Sequence, residues 1–489
     1  MIYIICLVLY ISLIIGISVF TRKKANNVDH FMLGGRAIPS WMSAFSYGTA
    51  YFSAVLFIGY AGKIGWNFGL GALWIVLGNT FVGSYLAWKV LASRTREMTH
   101  RLNASTMPEF LAVRYDSKII KIIATMVIFI FLVPYAASVY KGLGYLFKIV
   151  FDIDVNIILF IMMALTAFYL FVGGFMAASI ADFIQGIIMI AGVLLLIGYV
   201  VTHGNVEGFT TSVQNLNNID PKLTQMIHKD TALGLFSLVI LTSLGSWGLP
   251  QMVHKFYTIK NEKSIKTAKW VSTIFALIIT FGAYYTGSLS RLVLNNNQPS
   301  SFDEVMPLVI SEALPTFAAA IILVLVLSAS MSTLASIVLA ASSTVAVDLV
   351  KGVFNPDIEH KKMLWLLRIL CVIFVIASYI MAIGNSPILN LASLSWGAVS
   401  GCLFAPYLLG LYWKKATKFG VYTSFTTALV ILIYGVLKYD LSGSEIPTVG
   451  AFAIIIPVAT MIISSLVSQS FSDEHIGHIY KQKTVGVEE

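Results

Sequence analysis

Acidic side chains are nearly absent from the apolar runs of this 489-residue chain, and Asp182 is the exception. A carboxylate inside a bilayer costs at least ~2.5 to 3.5 kcal/mol at mid-helix, less towards the interface, so it calls for a partner. A first-turn carboxylate facing cytoplasmic water is the plainer alternative. Hydroxyls form the second group. Ser328, Ser332 and Ser336 recur every four residues with Thr333 beside them, so they share one helical face. They either bond back to carbonyls one turn earlier or serve a ligand. The ligand that such oxygens suit is a dehydrated alkali cation, which wants five or six neutral or singly charged oxygen donors. Two further segments place small and hydroxyl residues inside apolar runs, 46–54 (Ser-Tyr-Gly-Thr-Ala-Tyr-Phe-Ser-Ala) and 242–250 (Thr-Ser-Leu-Gly-Ser-Trp-Gly-Leu-Pro). Both are prone to unwind, and unwinding near Thr49 and Phe52 would release backbone carbonyls to the same cation. Cys6, Cys371 and Cys402 form no CxxC and no extracellular pair, so neither a zinc site nor a disulfide framework is implied.

The elements that must position these groups are membrane helices. Hydrophobic residues make up 58% of the chain and charged residues 11%, a balance unfit for a surface in water. Apolar runs of about 20 residues recur, each long enough to cross a hydrocarbon core of about 30 Å. They are continuous rather than alternating, which selects helices over a barrel. Thirteen spans are expected: 2–20, 41–61, 70–91, 119–150, 155–172, 179–201, 233–253, 270–289, 315–347, 363–383, 388–412, 420–437 and 449–467.

Orientation follows from Lys and Arg, which concentrate in cytoplasmic loops. With the N-terminus outside, the odd-numbered connections with the span ends beside them and the tail hold 25 of the 32 basic residues, including Arg22, Lys23, Lys24, Arg94, Arg96, Arg101, the Lys-rich stretch 255–269, Lys361 and Lys362. This alternation supports both the span count and a cytoplasmic C-terminus. The net charge of +9 reads as an orientation signal and contact with anionic lipid, not as nucleic-acid binding. The first run lacks a preceding basic stretch and has Arg22-Lys23-Lys24 after it, the reverse of a secretory signal. No soluble domain interrupts the spans, and the tail is too short for a catalytic module, so no enzyme activity and no obligate protein partner are expected.

The two glycine- and hydroxyl-rich segments lie five spans apart and therefore cross in opposite directions. Paired interrupted helices at this spacing mark the centre of a transporter built from inverted repeats, although small residues also serve close helix packing. The expected division is 1–40 for an extra helix and cytoplasmic loop, 41–201 for a first repeat, and 202–232 for an extracellular loop. A second repeat over 233–412, two peripheral helices over 413–470 and a cytoplasmic tail over 471–489 follow.

The segment Gly173-Gly174-Phe175 with Asp182 and Gln185, Phe57-Ile58-Gly59, Met331-Ser332-Thr333-Leu334, and the run 248–256 (Gly-Leu-Pro-Gln-Met-Val-His-Lys-Phe) resemble the sodium:solute symporter family along essentially the whole chain. The resemblance implies an all-α LeuT-like five-plus-five inverted repeat, with one extra helix before and two after, working by sodium-driven alternating access. It implies a sodium site from the carbonyls of Thr49, Phe52 and Ala329 and the side chains of Ser332 and Thr333. Asp182 and Ser336 would serve a second sodium or its exit path, with Ala335 standing where a second hydroxyl is needed. Within the family the proline-type branch is nearest, yet its acidic residue on the second helix is Tyr51 here, and its aromatic pair on the seventh is Thr242 and Ser246. Sialic acid and sugar are disfavoured by Pro134 or Tyr135 and by Leu56.

The expected solute pocket comprises Tyr51, Ser53, Tyr135, Ser246, Trp247 and Trp396, suited to a compact amino acid such as proline or a small carboxylate. Lys141 is a candidate for attracting a carboxylate before closure, or else snorkels to the outer interface. The expectation is a plasma-membrane importer that couples Na+ to a small organic solute. Pantothenate or another organic acid as cargo, proton coupling through Asp182, a passive facilitator and a solute sensor are the rivals.

Overall fold

The computed structural model describes residues 2–21, 31–32, 38–151 and 153–480, without the side chains at 169, 172–174 and 176. Arg22, Lys23, Lys24, the surroundings of Gly173, Gly174 and Met176, and the tail from 481 therefore lie outside the described residues. The described chain is helical, and its one β-bridge joins Ile38 to Ile259. Among the described residues, eleven helices are long and apolar enough to cross a membrane. Helix satisfies every backbone donor and acceptor locally, which lipid requires. Large apolar side chains remain exposed on the outer helices, among them Leu9 and Phe20 on α1 (Ile2–Thr21), and Ile433 and Leu437 near the C-terminal end. Such a belt would aggregate in water and is at home in lipid.

At the centre stands α13 (Thr316–Thr344), in which every residue from 325 to 344 is buried. It is apolar or small on all sides, as a helix with no solvent or lipid face must be. Around it pack α6 (Lys118–Phe151), α7 (Val155–Val201) and α2 (Ser40–Tyr51).

Two long helical runs double back. In α7, Thr166 reaches Met331 Sδ at 3.6 Å while a Cβ on Gly192 would meet Leu325. Residues 325 and 331 are about 9 Å apart along α13, whereas 166 and 192 would be about 39 Å apart on a straight helix at 1.5 Å per residue. The run therefore turns between them, and the expected loop between 172 and 179 is taken up in continuous helical turns. A second reversal lies between α3 (Val55–Tyr60 continuing as Ala61–Phe68) and α4 (73–101). Tyr47 and Tyr51 reach Gly83 and Asn79, so the two arms are antiparallel. The turn between them holds Gly69 at φ +52°, where a Cβ would sit 2.2 Å from the carbonyl oxygen of Leu223. Only glycine fits there without strain.

The two breaks foreseen in the sequence are present. Helix α2 ends at Tyr51, Phe52 is extended (φ −118°, ψ 122°), and the chain resumes as a π-helical turn from Val55. Further along, α9 (Ala232–Ser243) passes through a 3₁₀ turn at Gly245–Trp247, Leu249 is extended, and Pro250 opens α10 (Pro250–Tyr257). Proline lacks the N–H that would continue a helix from before and is well placed at a first turn. The two broken elements run side by side in opposite senses: Tyr51 OH donates to the Thr242 carbonyl at 2.6 Å, and Tyr47 stacks on Phe256 at 5.5 Å.

Candidate functional site

Where α2 stops, its last carbonyls lack helical partners, and α13 supplies them. Ser332 Oγ donates to the carbonyl of Thr49 at 2.9 Å and lies 3.0 Å from that of Ala329. Thr333 Oγ1 lies 3.3 Å from the Thr49 oxygen and 3.4 Å from that of Ala50. Five oxygens thus gather at separations of 2.9 to 3.4 Å. Oxygens around a hard cation at about 2.3 to 2.6 Å are spaced in this way. Thr49, Ala329, Ser332 and Thr333 are brought together as the sequence predicts. Ala50 joins them, and Phe52 sits at the break itself with its ring on the neighbouring cavity. Ser330, not foreseen, accepts from Ala54 N at 3.3 Å and pins the far side of the break to α13.

That cavity has an unoccupied volume of ≈ 330 Å³ and adjoins the break. Tyr51, Ser53, Tyr135 and Trp396 line it as expected. Ser246 and Trp247 do not: Ser246 Oγ turns to the carbonyls of Ser243 and Gly83, and the Trp247 indole donates to Val82 at 3.0 Å. The 3₁₀ turn rotates both away from the cavity and presents the Thr242 carbonyl instead. Asn79, Tyr60 and Tyr284 line it too and were missed, since nothing in a linear apolar run says which face meets which partner.

Asp182 is fully buried, with Ser46 Oγ donating to its Oδ2. Lys255 Nζ donates to Ser46 at 2.7 Å and stands 3.4 Å from the same carboxylate oxygen. Lys255, counted in the sequence as a loop charge, is 2% exposed. Asp182 Oδ1 is buried without a hydrogen-bond partner among the described residues, as are Thr49 Oγ1, Ser328 Oγ and Ser336 Oγ. Gln185 Nε2, one turn on from Asp182, donates to Tyr10 OH at 2.8 Å and ties α1 to the core. A second buried carboxylate, Asp348, escaped notice at the edge of its apolar run; it accepts from Thr106 and pairs with Lys121 at 3.5 Å.

Lys141 is not placed to capture a carboxylate. Its ammonium donates to the carbonyls of Gly384 and Ser386 at 2.5 and 2.7 Å, binding α6 to the turn before α15 (Ile388–Tyr412).

The sequence profile of the sodium:solute symporter family matches residues 31–427. A Haemophilus influenzae sodium/proline symporter is 30% identical over 429 residues, covering 84% of each chain. The osmoregulated proline transporter OpuE of Bacillus subtilis is 28% identical over 445 residues, 89% of each. In solved structures, the substrate-bound outward-open state of a Na+-coupled sialic acid symporter superposes with a TM-score of 0.80 at 18% identity, covering 96% of this chain and 99% of that one. The helical architecture is therefore of the LeuT-like kind, and a small solute and sodium are the two cargoes. By its sequence profile and its relatives, this membrane-spanning chain belongs to the sodium:solute symporter family and is a sodium-coupled symporter.

Proposed function

We propose that the chain imports a compact zwitterionic solute of the size of proline through the plasma membrane, with sodium bound where α2 breaks against α13. The carrying observation is the meeting of Ser332 and Thr333 hydroxyls with the Thr49 carbonyl. A sodium ion at that point draws oxygens from two separate elements into one shell, with Phe52 adding its carbonyl. It would hold α2 against α13 and complete the adjoining cavity. Solute binding then closes the outer face. Sodium leaves towards the cytoplasm past Asp182, whose free Oδ1 and the unpartnered hydroxyl of Ser336 offer way-stations, and solute follows. One positive charge crossing 100 mV supplies about 2.3 kcal/mol before any concentration gradient. The cycle makes and breaks no covalent bond, so it needs no enzyme activity.

Thirteen spans in a five-plus-five inverted repeat are the architecture we assign. Besides the eleven long apolar helices, the arm Val155–Phe168 of α7 makes a twelfth, and the reversal at Gly69 divides 40–101 into two. The antiparallel course of the two broken helices supports repeats over 41–201 and 233–412. The connections at 202–232 and the N-terminus then face outside, and the C-terminus inside.

The test is proline uptake into proteoliposomes holding the full chain, with an inward gradient of sodium and then of potassium at fixed pH. Accumulation only with sodium is expected. Accumulation that persists in potassium and follows a proton gradient would sink the sodium site and favour Asp182 as a titrating group.

A further inference from the structure

The central cavity is walled by six aromatic side chains, Tyr51, Phe52, Tyr60, Tyr135, Tyr284 and Trp396, and among the described residues no Asp, Glu, Lys, Arg or His lines it. Tyr51 and Trp396 lie near-parallel (23°) with ring centroids 6.3 Å apart, and Tyr135 stands at 87° to Trp396 at 5.5 Å. Two ring planes and a perpendicular third define the corner of a box. A cation among rings this close falls within the about 6 Å over which a ring face attracts it.

The polar atoms divide unequally between donors and acceptors. An ammonium with free N–H groups needs acceptors when it leaves water. The fixed acceptors here each take one hydrogen bond already: the Thr242 carbonyl from Tyr51 OH at 2.6 Å, Asn79 Oδ1 from Ser243 Oγ at 3.1 Å, and Ser53 Oγ from Val55 N at 3.2 Å. Phenol oxygens remain, and they serve an ammonium less well than a carboxylate would. A donor, by contrast, is underused: Trp396 Nε1 is buried, makes no hydrogen bond of good geometry among the described residues, and has the Tyr135 hydroxyl beside it. An anionic oxygen in the cavity would satisfy it.

From this division we infer that the cavity is a cage for a fully substituted ammonium, and that the cargo it favours is a betaine: a carboxylate joined by a short spacer to an N-methylated nitrogen. The inference rests on the cavity being the solute site. The methylated head has no N–H to satisfy and lies against ring faces, while the carboxylate meets the Trp396 indole and the sodium at the neighbouring break. Proline, with two N–H donors on its nitrogen, is a weaker member of the same zwitterionic class.

The discriminating ligands are glycine, N-methylglycine, N,N-dimethylglycine and N,N,N-trimethylglycine, with proline alongside. The full chain in proteoliposomes under a sodium gradient is assayed for uptake of radiolabelled trimethylglycine and proline, and each ligand is tested as an inhibitor of both. Apparent affinity is expected to rise at least tenfold from glycine to trimethylglycine and to exceed that for proline. Tyr135→Leu and Trp396→Leu should flatten the series while Tyr135→Phe preserves it; a sodium-induced thermal shift in each variant shows that it is folded. A flat or falling series, or no uptake of trimethylglycine, overturns the inference. Sodium-dependent proline uptake in that event leaves the coupling proposal standing, whereas uptake indifferent to sodium overturns the coupling proposal itself.

Discussion

Asp182 and Lys255 are both fully buried, with Ser46 between them. Removing one partner of such a pair leaves an uncompensated charge, at a cost of about 3 to 5 kcal/mol, whereas neutral replacement of both is far milder. Lys255→Met and Asp182→Asn should each lower the thermal unfolding midpoint strongly, and the double variant should recover most of the loss; additive losses would show that the two charges are not coupled. At the break, Ser332→Ala deletes a hydroxyl that reaches two carbonyls. The half-saturating sodium concentration for uptake should rise about tenfold, equivalent to about 1.4 kcal/mol, while the rate at saturating sodium changes less. An unchanged sodium dependence would remove Ser332 from the site. The hydroxyl stripe was legible because serines four apart must share a face. Lys255 was not, because a lysine at the end of an apolar run looks the same in sequence whether it faces water or folds inward to a carboxylate on another helix.

Glycines show how elements are allowed to meet. A Cβ on Gly65 would come 2.1 Å from the carbonyl carbon of Gly287, and a Cβ on Gly287 would come equally close to the Ala61 oxygen, so α3 and α11 (Glu262–Ser288) cross backbone to backbone. Small residues permit such approach in membrane helices. Gly65→Ala must push two backbones apart and should lower the midpoint by several degrees. Gly198→Ala, in a helix with nothing within 4 Å, should be neutral or slightly stabilising. Equal effects of the two would contradict the tight crossing. Near the C-terminal end of the described chain, the short helix α18 (Asp473–Tyr480) is held by Tyr480, whose OH donates to the Gly410 carbonyl at 2.6 Å, and by Arg114, which stacks near its ring. The breaks in both interrupted helices could be read from glycine, proline and hydroxyl content. That helical turns continue through the reversal of α7 could not, since the turn is fixed by what each arm touches on α13.

At the scale of the whole molecule, Asp303, in the connection before α13 and on the face assigned to the outside, accepts from Ile388 N at 3.2 Å, next to the turn that Lys141 holds. Burial pushes its carboxyl above the usual range, although the Ile388 N–H and the ammonium groups of Lys141 and Lys63 pull the other way and Glu304 adds to the rise. A folded-state value raised above the unfolded one means that the folded form binds the proton more tightly. The stabilisation from protonation is full below the unfolded value and is lost as pH rises through the folded one. Thermal stability of the wild type should therefore increase on acidification from neutral towards the carboxylate range, and Asp303→Asn should remove that slope; a slope that survives the substitution assigns it to another group. The assigned orientation has its own check. In a Cys6→Ser background, Lys222→Cys should react with an impermeant thiol reagent added outside intact cells and Lys361→Cys only after permeabilisation; the reverse pattern inverts the topology.

Sequence by itself determined that the chain crosses a membrane repeatedly as helices, because runs of apolar residues have no other way to satisfy their backbones in lipid. It also determined where two of those helices fail, because glycine, proline and competing hydroxyls weaken the local ladder. Tertiary structure alone decided which oxygens converge on the break, that Lys255 turns inward to Asp182, and that Ser246 and Trp247 face away from the cavity that Tyr60, Asn79 and Tyr284 help to line. Those outcomes depend on contacts between residues tens to hundreds of positions apart, and helical periodicity fixes the face of a residue only relative to its own axis.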